Sequence, residues 1–355
     1  MTQSTPRFLA ISDLVVDYAS GSSFGRGGTV RIVDRVSLDI TVGRTLGLIG
    51  ESGSGKSTVA RALLGHVPYS SGKIAIEGVA RTSARQRDVR SFARVMQLVP
   101  QDPYASLNPR RTILHAVGGP MLLHGLTSRA SVRQDTIALL ARVGIPERAV
   151  DSYPYEFSGG QRQRIVIARA LSVQPKMLVL DEPVTALDVT VQAQILRLLN
   201  ELQDELALTY LFIAHDLAVV EQASERIAVM YLGRLVETGP ASQVIAQSAH
   251  PYTTALVSAQ PDPSPTTERT RRRIVLRGEL PTHSDPPSGC RFHTRCWLYE
   301  HLNQPSRCTT DQPELAEVAD EHFSACHFAN EIYRPSPTGK SHESRALPTT
   351  KENPR

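Results

Sequence analysis

The residues richest in chemistry lie in one short run, Gly50-Glu51-Ser52-Gly53-Ser54-Gly55-Lys56-Ser57, extended by Thr58. Glycines at these spacings let backbone N–H groups turn inward around phosphate oxygens. Lys56 supplies a compact cation for β/γ-phosphate charge, and the Ser57 hydroxyl suits Mg²⁺. The apolar run 45–49 reads as a strand before the loop, and Val59–Leu64 as a helix after it. That helix turns its positive N-terminal end toward a bound anion. A dinucleotide fingerprint would need a third glycine, which Gly53-Ser54-Gly55-Lys56-Ser57-Thr58 lacks. The pattern predicts a phosphate-binding loop and a nucleotide site.

A second element must hold the metal. Leu178-Val179-Leu180 ends in Asp181-Glu182, which places two carboxylates at the tip of a buried strand. In an open α/β sheet that edge is where ligands sit. The first carboxylate suits Mg²⁺ and its waters, and the second suits orienting or deprotonating an attacking water. An Asp before a Pro also makes an ordinary solvated turn; the phosphate loop upstream favours the metal reading. His215 directly follows the apolar run 210–214, so parallel strands would bring it to the same sheet edge. Among eleven histidines, its position singles it out.

Positioning these groups requires a sheet. Residues 7–18 and 30–40 alternate apolar and polar side chains as half-buried strands do, joined by the Gly/Ser-rich stretch 20–28. Residues 177–180 and 210–214 read as buried strands, and 165–172 and 191–206 as helices. Strand alternating with helix predicts an α/β fold with a parallel sheet covered on both faces. The segment 106–164 mixes helical periods with loops. From Ala259 the texture turns Pro-rich and then basic at Arg271–Arg273, which reads as a linker or surface arm, and 334–355 reads as a disordered tail.

Composition bounds the rest. In 355 residues, 41% apolar and 21% charged side chains are ordinary globular chemistry. A formal charge of +4 argues against a dedicated nucleic-acid binder, and no run approaches eighteen apolar residues. The first ten residues carry no secretory pattern, which points to the cytoplasm.

Phe157-Ser158-Gly159-Gly160-Gln161-Arg162-Gln163-Arg164 resembles the signature motif of the ATP-binding cassette (ABC) family. With Gly50–Thr58, Leu178–Pro183, Ala186-Leu187-Asp188 and His215 in that order, the resemblance spans residues 7–245. It implies a P-loop NTPase with a RecA-like core, an antiparallel β subdomain and a helical subdomain near 106–164, all within 1–258. It also implies a head-to-tail dimer in which each ATP lies between one phosphate loop and the partner's signature. Ser158, Gly159, Gly160 and Gln161 would then act on the partner's ATP, through backbone donors and a helix dipole. By the same resemblance Gln101 touches Mg²⁺ beside Ser57 and Asp181, and senses the membrane partner. Glu182 would be the catalytic base, Asp188 would communicate across the dimer, His215 would contact the γ-phosphate, and Tyr18 would stack on adenine.

The stretch Gln101–Arg110 is similar to the coupling loop of oligopeptide and dipeptide importer ATPases, and His250-Pro251-Tyr252-Thr253 to the start of their C-terminal extension, here 259–333. The implied setting is the cytoplasmic face of a bacterial membrane, with two multi-span permease subunits and, indirectly, a solute-binding protein. The second ATPase would be a paralogue or a copy of this chain. Nickel or other solute importers share this ATPase subfamily, and a soluble ATPase acting on nucleic acid or ribosomes is the reading from another class. Cys290, Cys296, Cys308 and Cys326 are separated by five, eleven and seventeen residues, unlike the close Cys pairs of zinc knuckles. Spacing alone leaves a metal centre and unrelated buried thiols both open. The runs around Cys290–Cys296 and Cys326-His327 resemble the peptide-importer extension, some members of which carry a four-iron (4Fe–4S) cluster on four such cysteines. All-Cys ligation also suits iron–sulfur chemistry.

Overall fold

The buried strand β3 (Thr45–Ile49) lies at the centre of an eight-stranded sheet. The structure is a computed structural model that describes residues 6–19, 28–81, 92–185, 187–260 and 273–333. The Gly/Ser stretch 20–27, Ala186, most of the expected linker and the tail from 334 lie outside the described residues.

Around β3 stand β6 (Met96–Val99), β7 (Met177–Asp181), β8 (Thr209–Ala214), β9 (Arg226–Tyr231) and β10 (Arg234–Pro240). The sheet is completed by β11 (Ala316–Ala319) and β12 (His322–Ser324), in the order β11-β12-β10-β9-β3-β8-β7-β6. From β9 to β6 the strands run parallel, as the alternation of strand and helix predicts. Beyond β9 the sheet turns antiparallel, first to β10 and then to the β11–β12 hairpin. A second, antiparallel sheet orders β1 (Arg7–Ala19), β2 (Thr29–Thr41), β4 (Ser71–Ile76) and β5 (Val79–Arg81) as β2-β1-β4-β5.

The alternation of side chains along each parallel strand separates two cores. Met177 and Val179 join Leu211, Ile213, Leu46 and Leu48 on one face, packed against Val59, Ala60 and Leu63 of α1 (Lys56–Leu64). Leu178, Leu180, Tyr210 and Phe212 face the other way. There they meet Ile165 and Ile167 of α2 (Gly159–Leu171) and Ile195 and Leu199 of α3 (Val189–Leu206). Strands buried on both faces need no polar alternation, which is why they read as continuous apolar runs. Helix α3 begins two residues earlier than its apolar period suggests. Asp188 sets the start, since its side chain accepts the Val191 N–H at 3.0 Å and caps the helix.

Parallel pairing decides what meets at one edge. Ile49 pairs with Ala214 and Asp181 with Ile213. The phosphate loop, the Asp181-Glu182 pair and His215 therefore leave the sheet side by side.

Candidate functional site

Between β3 and α1 the chain folds tightly enough that two glycines are obligatory. A Cβ on Gly50 would lie 2.1 Å from the Met230 carbonyl oxygen. Gly55 has φ of 106°, and a Cβ there would meet the Ile32 carbonyl at 2.9 Å. The loop curls around the Lys56 ammonium, which donates to the Gly50 carbonyl at 2.6 Å and the Glu51 carbonyl at 3.0 Å. Burial pulls the Lys56 pKa below its ordinary value, against the pull of Glu182, Asp181 and Glu51. The ammonium also reaches the Ser54 hydroxyl at 3.5 Å, so an incoming phosphate meets a buried cation held by neutral oxygens. Ser52 and Ser54 lie within the loop, and Thr58 follows Ser57 in the first turn of α1.

Beside it, the Ser57 hydroxyl donates to Asp181 Oδ1 at 3.1 Å. These are an alcohol and a carboxylate oxygen, the hard ligands that Mg²⁺ prefers. Burial raises the Asp181 pKa, opposed by the Ser57 hydrogen bond. A divalent cation between them would reverse that balance.

Glu182 is the hub of the edge. Its backbone is left-handed, with φ of 51°, and its N–H donates to the Ile213 carbonyl at 2.9 Å. This turns the carboxylate toward three neighbours. Gln101 Nε2 donates to Glu182 Oε2 at 2.9 Å, His215 Nδ1 lies 3.3 Å from the same oxygen, and the Thr185 hydroxyl donates to it at 3.2 Å. Gln101, following β6, and His215, following β8, are thus drawn together from 114 residues apart. Thr185 was not singled out by sequence reasoning, since a Thr after a Pro-containing turn has no distinctive pattern.

The remaining expected residues lie apart from this hub. Tyr18 sits near the end of β1 and is 36% exposed, as an adenine platform would need. Ser158 caps α2 by accepting the Gln161 N–H at 3.3 Å, while its own N–H donates to the Gln161 side chain at 3.1 Å. Ser158, Gly159 and Gln161 are exposed and Gly160 is half-buried. A Cβ on Gly160 would lie 2.5 Å from the Val191 side chain, so glycine is needed there to let α2 and α3 approach.

The four cysteines line one small cavity together with His250, Phe292, His293 and Tyr299. All are free thiols. Gly289 lets the chain cross at Cys308, where the Cys290 N–H donates to the Cys308 carbonyl at 2.9 Å. The Tyr299 N–H points at Cys296 Sγ and the Phe328 N–H at Cys326 Sγ, each at 3.4 Å. Burial pushes Cys290 up to about 11 and Cys296 and Cys326 up to about 12, so these thiols are neutral near pH 7. Among the described residues, no three His, Cys, Asp or Glu side chains are arranged to hold a single metal ion.

Other side chains missed by sequence reasoning reach the phosphate loop from the C-terminal part of the chain. The Glu51 N–H donates to the Tyr252 hydroxyl at 2.8 Å, and Arg295 ion-pairs with the Glu51 carboxylate at 2.8 Å. These partners are 201 and 244 residues from Glu51, so no local pattern could have announced them.

Comparison with known proteins fits this geometry. The family described as "ABC transporter" matches residues 33–185, and "Oligopeptide/dipeptide transporter, C-terminal region" matches residues 236–301. A putative peptide import ATP-binding protein of Brucella ovis is 45% identical over 301 residues, covering 85% of this chain and 93% of its own length. The oligopeptide transport ATP-binding protein AppF of Bacillus subtilis is 44% identical over 302 residues, covering 85% of this chain and 90% of its own. Among solved structures, cbiO1 of Clostridium perfringens, part of an ABC transporter complex, superposes with a TM-score of 0.60 at 27% identity, over 68% of this chain and 91% of its own. The ATP-binding cassette MJ0796, in a dimeric post-hydrolysis state bound to ADP and Pi, does so with a TM-score of 0.59 at 26% identity, over 66% of this chain and 98% of its own.

Proposed function

The chain belongs to the ABC transporter family of ATP-binding proteins, and from that premise we propose that it is the energy-coupling subunit of a binding-protein-dependent importer for di- or oligopeptides. The observation that carries the peptide reading is the joint match of one chain to the ABC cassette and to the oligopeptide/dipeptide C-terminal region. Relatives at 44–45% identity bear peptide or oligopeptide transport names over most of both chains.

The mechanism follows from the residues at the sheet edge. Lys56 exchanges its contacts with the Gly50 and Glu51 carbonyls for β/γ-phosphate oxygens of ATP. Ser57, Asp181 and Gln101 would hold Mg²⁺, which neutralises phosphate charge when bound. Glu182 takes the proton of an attacking water, and His215 and Thr185 hold its carboxylate in place. Ser158–Gln161 of one chain close on the ATP of a second chain, a copy or a paralogue, and Asp188 lies at the start of the helix packed beneath that signature. Tyr18 supports the adenine. Closure is passed to two permease subunits through Gln101–Arg110.

The proposed setting is a peripheral subunit on the cytoplasmic membrane face; among the described residues no helix is long and apolar enough to cross a membrane. Co-purification with a multi-span membrane protein, and ATPase activity raised by a peptide-loaded binding protein, are the expected results. Activity raised by nickel and not by peptides would transfer the chain to a different cargo.

The finer cofactor reading is a 4Fe–4S cluster on Cys290, Cys296, Cys308 and Cys326. Support comes from the four thiols that share the lining of one cavity and from the N–H groups aimed at two of the sulfurs. A four-iron cluster gives each thiolate its own iron. It therefore does not need three sulfurs gathered on one ion, which the described residues lack. Metal binding would displace the thiol protons and contribute folding energy to the extension. Anaerobically purified protein should be brown and Cys308→Ser colourless. Colourless wild-type protein with stoichiometric zinc, or with four free thiols, would remove the cluster.

A further inference from the structure

A glutamate inside a phosphate-binding loop poses an electrostatic problem. Glu51 follows Gly50 directly, close enough to Lys56 for its charge to act on the ammonium. A free carboxylate there would repel ATP phosphates and compete with them for Lys56.

The structure pairs that carboxylate with a cation from the far end of the chain. Arg295 Nη1 lies 2.8 Å and Nη2 3.3 Å from the two Glu51 oxygens, a forked geometry. The Arg295 side chain is only 9% exposed, and its guanidinium carbon lies 6.0 Å from the Tyr231 ring centroid.

The contact belongs to a wider clasp. The Tyr252 hydroxyl accepts the Glu51 N–H, and Tyr252, Tyr231 and Phe292 pack edge-to-face or tilted with centroids 4.9–5.4 Å apart. Arg291 donates to the Leu232 carbonyl at 2.5 Å and ion-pairs with Asp34. His283 places Nε2 2.7 Å from the Gly53 carbonyl and Nδ1 3.2 Å from the Arg31 carbonyl. The extension thus grips the loop at Glu51 and Gly53.

We propose that Arg295 is a positioning residue for ATP binding: it neutralises Glu51, draws its carboxylate away from Lys56, and so makes the C-terminal extension part of the nucleotide site. This goes beyond the reading of the extension as a transporter-type appendage and rests on the loop being an ATP site.

The test measures Mg·ATP affinity of the full-length chain by equilibrium dialysis. Arg295→Ala should weaken binding about tenfold, the order of one uncompensated charge near phosphate. Adding Glu51→Gln to Arg295→Ala should recover most of that loss, because the unpaired carboxylate is gone. Arg295→Lys, which keeps the charge but not the fork, should fall between. Thermal melting of each variant reports folding separately. If Arg295→Ala binds ATP as the wild type does, or if the double variant is as weak as Arg295→Ala with an intact fold, the inference is overturned. Wild-type protein that fails to bind Mg·ATP would instead overturn the nucleotide site itself.

Discussion

At the scale of single residues, Lys56 is the group whose chemistry is least replaceable. It is buried, its ammonium donates to two loop carbonyls and the Ser54 hydroxyl, and it is the cation at the centre of the curl. Lys56→Ala should abolish productive Mg·ATP binding in equilibrium dialysis, because β/γ-phosphate charge would then be uncompensated. Unchanged affinity would contradict the loop assignment. His215 has a subsidiary place, in contact with the Glu182 oxygen that also receives Gln101 and Thr185. His215→Ala should therefore slow hydrolysis less than loss of Glu182 does. The phosphate loop was legible in sequence because backbone geometry demands glycine at fixed offsets. Arg295 was not, because a side chain reaching across the fold leaves no local period, and Thr185 was not, because a Thr after a Pro-containing turn has no distinctive pattern.

At the scale of elements, the parallel strands were readable from their apolar runs, and their pairing explains how Asp181, Glu182 and His215 share one edge. The β11–β12 hairpin was not read, because strands of four and three residues in a Pro-rich extension show no alternation worth counting. That hairpin is tied to β10 by a buried carboxylate. Glu237 accepts the Ala249 and His250 N–H groups at 2.6 and 3.0 Å and lies 2.7 Å from His322 Nε2. Next to it, His250 caps the helix Pro251–Ala259 by accepting the Tyr252 N–H at Nδ1, a role open only to a ring unprotonated at that nitrogen. Burial lowers the His250 pKa from 6.5 to about 3. The unfolded chain binds this proton below about pH 6.5 and the folded chain does not. Stability from this group is therefore complete above that pH and lost progressively as pH falls toward 3. Urea unfolding at pH 7 and 5.5 should show the wild type losing about 1 kcal/mol that His250→Asn, a cap without a titrating ring, retains. Equal losses in both proteins would show that other groups set the acid sensitivity.

At the scale of the whole molecule, two cores on opposite faces of one sheet carry the site, and the C-terminal extension closes back onto it. The extension adds strands to the sheet, lines the thiol cavity with four cysteines, and contacts the phosphate loop through Arg295 and His283. A mutation in that region should reach ATP binding without touching any residue of the sheet edge. Ser158, Gly159 and Gln161 are exposed and Gly160 is half-buried, which leaves this segment open to the closure proposed with a second chain. The proposed motor is driven by hydrolysis of ATP with Glu182 as base. The most direct measurement is single-turnover hydrolysis of Mg·ATP by wild-type protein and Glu182→Gln. The variant should bind ATP as tightly as the wild type and hydrolyse it roughly a hundredfold or more slowly, the usual loss for a general base. An unaltered single-turnover rate in Glu182→Gln would contradict the account.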